Sequence, residues 1–336
     1  MDSSRSPRLL LLLLPALLAP SSAGVIRLPS GKAGARACAA PPDPAAYDRP
    51  VIGIVSHPGD GAGGRISNTT ATSYIGASYV KFVEAAGARV IPLVYNEPEE
   101  RLLEKLSLVN GVLFTGGSEK QGVYFETIKK VFQYVLDRND AGEPFPLFAQ
   151  CLGFELVSMI VSKDNNILET FDAHDQASTL QFPSYSFEGT VFQRFDSDLI
   201  KKVSTSCLVM QNHMYGISPK RLRENDELSS FFRVLTTSSD ENGKVYVSTV
   251  QANKYPITCT QWHPEKAIFE WRKPMIPHSE DAVQVTQHFA NHFISQARKS
   301  PNRPPADKVL DNLIYNYNPT FSGKTSKSFE VVYIFS

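Results

Sequence analysis

The sequence predicts an α/β fold with a mixed, largely parallel central sheet flanked by helices on both faces. Short apolar runs alternate four times with amphipathic helical segments between residues 50 and 162, which is typical of parallel strands joined by crossover helices. Beyond residue 165 short β-type runs dominate, and Glu241-Asn242-Gly243-Lys244 is a hairpin signal. We therefore expect antiparallel strands to be added within the same domain.

In the first half of the chain the predicted strands are short and apolar, and the predicted helices are amphipathic. Tyr79, Phe82 and Val83 share one face of a helical segment that ends at Gly87. Acidic residues directly after Pro98 begin the next helix. The predicted strands are 50–55, 89–94, 111–114 and 145–150, and the predicted helices are 72–87, a segment from 98, 123–136 and a segment from 152.

In the second half the apolar runs are shorter and the turn residues more frequent. One long amphipathic helix is predicted at 279–295, and a proline-rich linker follows at 301–305. The predicted strands are 185–192, 207–211, 234–237, 245–250, 257–261 and 331–335.

Residues 1–23 have the pattern of a secretory signal peptide. Arg5 and Arg8 precede an apolar block at 9–18, and small residues follow up to Ala23. The block is too short to cross a bilayer comfortably, and no later stretch is long and apolar enough, so we expect no membrane anchor. We assign 24–49 to a loosely ordered leader and 50–336 to a single domain.

A secretory route changes how two other features are interpreted. Asn68 begins the triplet Asn68-Thr69-Thr70, which becomes a site for N-glycosylation. Cysteines can also pair in that compartment, and the chain has four, at positions 38, 151, 207 and 259. If Cys151 must remain a free thiol, at most one pair can form, and the pairing stays open.

Charge and motif content argue against several function classes. The 34 basic and 34 acidic residues balance, so we expect no nucleic acid partner. The histidines are dispersed without HExxH or CxxC spacing, and we predict no metal site. The glycine-rich loop at 59–64 lacks the spacing of a nucleotide-binding motif, and we predict no cofactor.

Cys151 lies where a predicted strand ends and a predicted helix begins. The exposed amide N–H groups of a helix N-terminus lower the pKa of a thiol, and Gly153 permits the sharp turn that such an elbow needs. The local pattern fits a catalytic nucleophile and a buried core cysteine equally well. Two other motifs favour the nucleophile.

The first of these motifs is Thr115-Gly116-Gly117, which follows the third strand and lies at the same edge of the sheet. Acyl transfer places negative charge on the former carbonyl oxygen, and preorganised N–H groups stabilise it. We predict that Gly117 forms an oxyanion hole with the N–H of Leu152, although an ordinary turn would have the same sequence.

The second motif is Gln261-Trp262-His263-Pro264-Glu265. Pro264 favours an extended His263, and residues two apart in an extended segment point the same way. Glu265 can then orient the imidazole while His263 acts as general base for Cys151. A surface loop with this sequence is the alternative.

The segments FTGG, QCLGFE and QWHPEK, in this order on an α/β pattern, resemble the class I glutamine amidotransferase-like family. Further segments, such as IGASYVKFVEAAGARVIPL and YPITCTQWHPEKAIFEW, narrow the resemblance to the γ-glutamyl hydrolase family as it occurs in vertebrates. One departure is Thr115, where the wider family often has proline.

The resemblance implies hydrolysis of γ-glutamyl bonds in poly-γ-glutamyl folates and antifolates through a cysteine thioester. It assigns Cys151, His263 and Glu265 to catalysis. It also implies a homodimer and a lysosomal and secreted location. Residues that it places in the substrate site are Tyr79, Gly116, Glu155 and His213.

Two alternatives remain open at this stage. One is a glutaminase or amidotransferase-type hydrolase of another γ-glutamyl substrate. The other is a non-catalytic folate- or peptide-binding protein that retains the site.

Overall fold

A computed structural model describes residues 46–336 except 68, 70, 71, 185 and 327. The predicted signal peptide, most of the leader, the Asn68 glycosylation site and Cys38 therefore lie outside the described residues. The described residues all fall within one compact unit. No helix in them is both long and apolar enough to span a bilayer.

The described residues contain the following strands and helices. The strands are β1 (Val51–Val55), β2 (His57–Pro58), β3 (Ser73–Gly76), β4 (Arg89–Leu93), β5 (Val112–Phe114), β6 (Leu147–Gln150), β7 (Glu169–Ser178), β8 (Val209–Gly216), β9 (Phe232–Ser239), β10 (Val245–Ala252), β11 (Ile257–Thr260), β12 (Pro319–Phe321) and β13 (Val331–Phe335). The α-helices are α1 (Ala77–Glu84), α2 (Glu99–Ser107), α3 (Gly122–Asp140), α4 (Leu152–Ser162), α5 (Ser197–Thr205), α6 (Pro219–Glu224), α7 (Asp226–Phe231), α8 (Lys266–Phe269), α9 (Glu280–Ala297) and α10 (Ala306–Asn312). Short 3₁₀ helices occupy Val191–Arg194 and Ile314–Asn316.

The central sheet confirms the predicted fold class. Its strand order is β4-β1-β5-β6-β11-β10-β9; the first five strands are parallel, and β10 runs antiparallel to both of its neighbours, β11 and β9. In chain order the five parallel strands stand 2-1-3-4-5, the flavodoxin-like arrangement, in which ligands bind at the carboxyl ends of the strands. The ends of β5, β6 and β11 bear the three predicted motifs.

Side-chain alternation along β1 shows how the sheet builds a core on each face. Val51 and Val55 pack with helices α2, α3 and α4. Ile52 and Ile54 point the other way and pack with α1, α5 and α9. All four side chains are fully buried, so the sheet is covered on both sides, as a parallel sheet requires.

Two smaller sheets flank the central one. One has the order β12-β13-β3-β2, and the other pairs β7 with β8. The helix predicted at 72–87 begins only at Ala77, because Ser73–Gly76 pairs with β13 and is extended.

The strand predicted at 185–192 is wrong. Among its described residues, Val191 begins a 3₁₀ helix in which the Thr190 side chain accepts the Phe192 N–H. The long strand β7 was not predicted, because its polar sequence contains no apolar run. It forms through its pairing with β8.

Candidate active site

Cys151 occupies a strained elbow between β6 and α4. Its backbone has φ 50° and ψ −108°, an unfavourable region for a residue with a side chain. The elbow is held by hydrogen bonds from Cys151 N–H to the Thr260 carbonyl (2.7 Å) and from Gly153 N–H to the Thr115 carbonyl (3.1 Å). A Cβ on Gly153 would lie 2.8 Å from the Phe114 carbonyl oxygen. Only glycine therefore lets α4 start this close to β5.

The Cys151 thiol is 5% exposed. Burial raises its pKa well above the usual range, the Glu155 carboxylate adds to this rise, and the Leu152 N–H opposes it. Its sulfur also lies 4.0 Å from the Asn212 carbonyl oxygen on β8. In this state the thiol is protonated at neutral pH, so nucleophilic attack needs a base to remove the proton.

His263 and Cys151 both lie against Gly116. A Cβ on Gly116 would be 2.8 Å from His263 Cε1 and 3.5 Å from Cys151 Cβ. The imidazole Nδ1 is 2.9 Å from Glu265 Oε1, while Nε2 has no hydrogen-bond partner among the described residues. Burial lowers the pKa of His263, and Glu265 acts against that effect. The ring is therefore neutral, with a proton on Nδ1 and a lone pair on Nε2.

Glu265 reaches His263 by a route that differs from the expectation. The two side chains do meet, but Glu265 has helical backbone angles at the start of α8. The contact therefore comes from a turn rather than from an extended segment.

Glu265 remains ionised although it is fully buried. Burial alone would raise its pKa, but His263 and Lys266 outweigh that effect and lower it. The buried Lys266 ammonium lies 4.0 Å from Glu265 Oε1. A buried carboxylate beside Nδ1 fixes the tautomer of His263 and can stabilise an imidazolium when one forms.

The glycine turn after β5 lies next to Cys151. The Gly116 N–H donates to the Tyr79 hydroxyl at 2.9 Å, so this amide is already occupied. No described residue accepts the Gly117 N–H, and the Leu152 N–H interacts with the thiol. These two amides are the pair predicted for the oxyanion hole.

Tyr79 and His213, both predicted at the substrate site, are almost fully buried. Burial raises the pKa of Tyr79, and the Glu265 carboxylate adds to the rise. His213 Nδ1 lies 2.9 Å from the Tyr215 carbonyl oxygen and Nε2 lies 3.2 Å from Gln211 Oε1. Burial lowers the pKa of His213 to about 3. The polar atoms of both side chains therefore contact protein groups that line the predicted site.

Glu155, one turn along α4 from Cys151, is buried in an ion pair. Lys120 Nζ lies 2.9 Å from its Oε2, and the Gln261 amide donates to its Oε1 at 3.1 Å. Burial raises the pKa of Glu155, and Lys120 opposes the rise. Lys120 also stacks over the Tyr215 ring, with 4.7 Å between Nζ and the centroid, which ties Glu155 to β8.

Sequence reasoning missed three of these residues. Lys120 lies beyond the end of β5, and Gln261 and Lys266 lie beyond the end of β11, at the edge where Cys151 lies. That position was their only signal. Which of them would contact the predicted site depends on side-chain packing.

The described cysteines form no disulfide. Cys151, Cys207 and Cys259 are free thiols, and Cys207 is exposed while Cys259 is buried. No group of three or more histidine, cysteine or acidic side chains suited to a metal ion is found among the described residues.

Known proteins align with this chain over nearly all of the described region. The Peptidase C26 family matches residues 50–265. Gamma-glutamyl hydrolase 1 of Arabidopsis thaliana is 59% identical over 324 residues, covering 95% of this chain and 93% of the relative. Gamma-glutamyl hydrolase 2 of the same plant is 61% identical, covering 89% and 86%.

Similarity to animal proteins is lower and covers somewhat less of this chain. The gamma-glutamyl hydrolase of Homo sapiens is 34% identical over 292 residues, covering 85% of this chain and 90% of the relative. The predicted resemblance to γ-glutamyl hydrolases of vertebrates is confirmed, and the identity to the plant proteins is higher. The chain belongs to the Peptidase C26 family, together with these γ-glutamyl hydrolases.

Proposed function

We propose that the protein hydrolyses the γ-glutamyl bonds of poly-γ-glutamyl folates and antifolates through a thioester on Cys151. The observation that carries this proposal is the unpartnered Nε2 of a neutral His263, which Glu265 holds against Gly116, the glycine that Cys151 also approaches. Such an imidazole is prepared to take a proton and later return it. The identity of the cleaved bond, a γ-glutamyl bond, is inferred from the family relatives.

In the proposed first step His263 Nε2 takes the thiol proton as sulfur attacks the γ-carbonyl carbon. The carbonyl oxygen gains the negative charge and is stabilised by the N–H groups of Gly117 and Leu152. The C–N bond then breaks, and the departing amine takes the proton from His263.

In the second step water attacks the thioester. His263 accepts a proton from the water, a second oxyanion collapses, and the released thiolate recovers the proton. The γ-carboxylate of the shortened glutamyl chain leaves as product. In both steps the proton is therefore accepted and returned by Nε2 of His263. Glu265 is needed because it keeps the other ring proton on Nδ1 and leaves Nε2 free to accept.

The substrate site is proposed to include the carboxylate of Glu155 and the wall formed by Tyr79, Gly116 and His213. Glu155 and Lys120 together place one negative and one positive group near the nucleophile. A γ-linked glutamate offers both an amide donor and a free α-carboxylate, which are the complementary groups.

The test is mass analysis of the products from a defined folate pentaglutamate. Wild type should release shortened polyglutamates, and Cys151→Ala should release none. Free glutamine serves as the comparison substrate, since preferred ammonia release from it would favour the glutaminase alternative. Unchanged hydrolysis by Cys151→Ala would overturn the proposal.

We also propose that the protein follows the secretory pathway to the lysosome and the extracellular space and forms a homodimer. The pattern of residues 1–23 and the triplet at Asn68 support the route, and the family resemblance supports the dimer. N-terminal sequencing should find a chain beginning near residue 24, and sedimentation should give twice the chain mass. Retention of residues 1–23 would contradict the route, and a monomer would contradict the dimer.

A further inference from the structure

The turn that follows β5 has four consecutive amides, and three of them are held by side chains. Gly116 N–H donates to the Tyr79 hydroxyl at 2.9 Å. Ser118 N–H and Glu119 N–H both donate to His57 Nε2, at 3.1 and 3.2 Å. Only the Gly117 N–H, between them, finds no acceptor among the described residues. A single imidazole thus determines the backbone on one side of the predicted oxyanion donor.

The hydrogen bonds of His57 define its tautomer. Nδ1 lies 2.7 Å from the Pro58 carbonyl oxygen, which can only accept, so Nδ1 carries the proton. Nε2 therefore has the lone pair that accepts from Ser118 and Glu119. A protonated Nε2 could not accept either bond, so this arrangement exists only with a neutral ring.

The surroundings of His57 keep it neutral. The side chain is 6% exposed, and the rings of Tyr74 and Tyr124 pack edge-on against it. Burial lowers the pKa of His57 to about 4; the Pro58 carbonyl and Glu119 oppose the decrease, and Lys120 adds to it.

His57 also contacts the glycine itself. A Cβ on Gly117 would lie 2.2 Å from His57 Cδ2, far closer than atoms can approach. The absence of a side chain at 117 therefore lets the ring lie against the backbone whose neighbouring amides it binds. The imidazole and the glycine form one structural unit.

We propose that His57 is a positioning residue for the oxyanion hole, which holds the Ser118 and Glu119 amides so that the Gly117 N–H stays available to the oxygen of the attacked carbonyl. It acts through the backbone and does not contact the substrate. This inference rests on the function proposed above, because the oxyanion to be stabilised arises in the proposed acyl-transfer steps.

The experiment compares His57→Gln with His57→Asn. The longer glutamine can place its amide oxygen near the position of Nε2 and accept both N–H groups. Asparagine reaches only the position of Nδ1 and leaves both amides without an acceptor. The two variants have the same functional group and differ by one methylene, so they form a matched pair.

We expect kcat for the folate pentaglutamate to fall about 100-fold in His57→Asn, the usual effect of losing one oxyanion donor. KM should change less than about three-fold, and His57→Gln should keep kcat within about ten-fold of wild type. Alkylation of Cys151 by iodoacetamide forms no oxyanion, so its rate should be equal in all three proteins.

Amide hydrogen exchange at Ser118 and Glu119 tests the same idea without relying on turnover. Both amides should be protected in wild type and His57→Gln and should exchange faster in His57→Asn. If wild type showed no γ-glutamyl hydrolysis, the proposed function would fail, and exchange would still decide the role of His57. Equal kcat for the two variants, or a parallel loss of alkylation in His57→Asn, would overturn the inference.

Discussion

Replacing Glu265 by glutamine should show how far the charge of this carboxylate supports His263 as a base. Glutamine keeps an oxygen acceptor for the His263 Nδ1–H, now 2.9 Å from Glu265 Oε1, but removes the charge. A hydrogen bond to a charged group contributes about 1.5–3 kcal/mol, against about 0.5–1.5 kcal/mol for a neutral one, and the difference of about 1–1.5 kcal/mol corresponds to about 5- to 13-fold in rate. We therefore expect kcat to fall by that factor while His263 stays in place.

The pH dependence gives the sharper result. Glu265 raises the pKa of His263 against the larger effect of burial, so its loss lowers that pKa further. Because His263 must be neutral to act as base, activity is lost as pH falls through its pKa. The acid limb of kcat/KM should therefore move to lower pH in Glu265→Gln.

An acid limb that stays in place or moves to higher pH would refute the inference that the Glu265 charge raises the pKa of His263. The assay is the initial rate of pentaglutamate hydrolysis across the pH range in both proteins.

Glu270→Gln is the matched control. Glu270 is also a buried carboxylate near Lys266, with a pKa raised to about 7, chiefly by burial, and it accepts the Glu330 N–H at 2.8 Å. We expect kcat within about three-fold of wild type and an unmoved acid limb. Equal effects of the two substitutions would mean that charge near Lys266, rather than support of His263, determines the rate.

Three further results are expected. Cys151→Ser should lower kcat by at least about 1,000-fold in the product assay, since the hydroxyl is a far weaker nucleophile, and activity near that of wild type would rule out Cys151 as nucleophile. Lys120→Met leaves the Glu155 carboxylate buried without its cation, so the free energy of unfolding should fall by about 1–3 kcal/mol at neutral pH. That loss should grow as pH rises through the raised pKa of Glu155 and vanish below its unfolded-state value, and a pH-independent loss in denaturant titrations would contradict it. Gly153→Ala places a Cβ 2.7 Å from Phe114 Cβ, so unfolding scans should show a loss of about 1–3 kcal/mol, and an unchanged melting temperature would show that the elbow can relax.

Much of the architecture could be predicted because it depends on local pattern. The apolar runs that became β1, β4, β5 and β6 bury both faces, and such runs identify parallel strands directly. The strand predicted at 185–192 is absent from its described residues, since Phe192 packs against Phe289 of α9 from a 3₁₀ helix. The polar strand β7 was not predicted, because its extended conformation depends on pairing with β8 and not on an apolar run.

By itself, the sequence determined the parallel α/β order and the chain positions of Cys151, Gly117 and His263 at strand ends. Parallel strands bring such ends to one edge of a sheet, so the meeting of these residues follows from topology. Only the tertiary structure decided the protonation states and the support of the site. Three features depend on contacts between residues far apart in the chain: the burial of the thiol and imidazole, the Lys120–Glu155 ion pair, and the hydrogen bonds of His57 to the glycine turn. Local periodicity cannot predict such contacts.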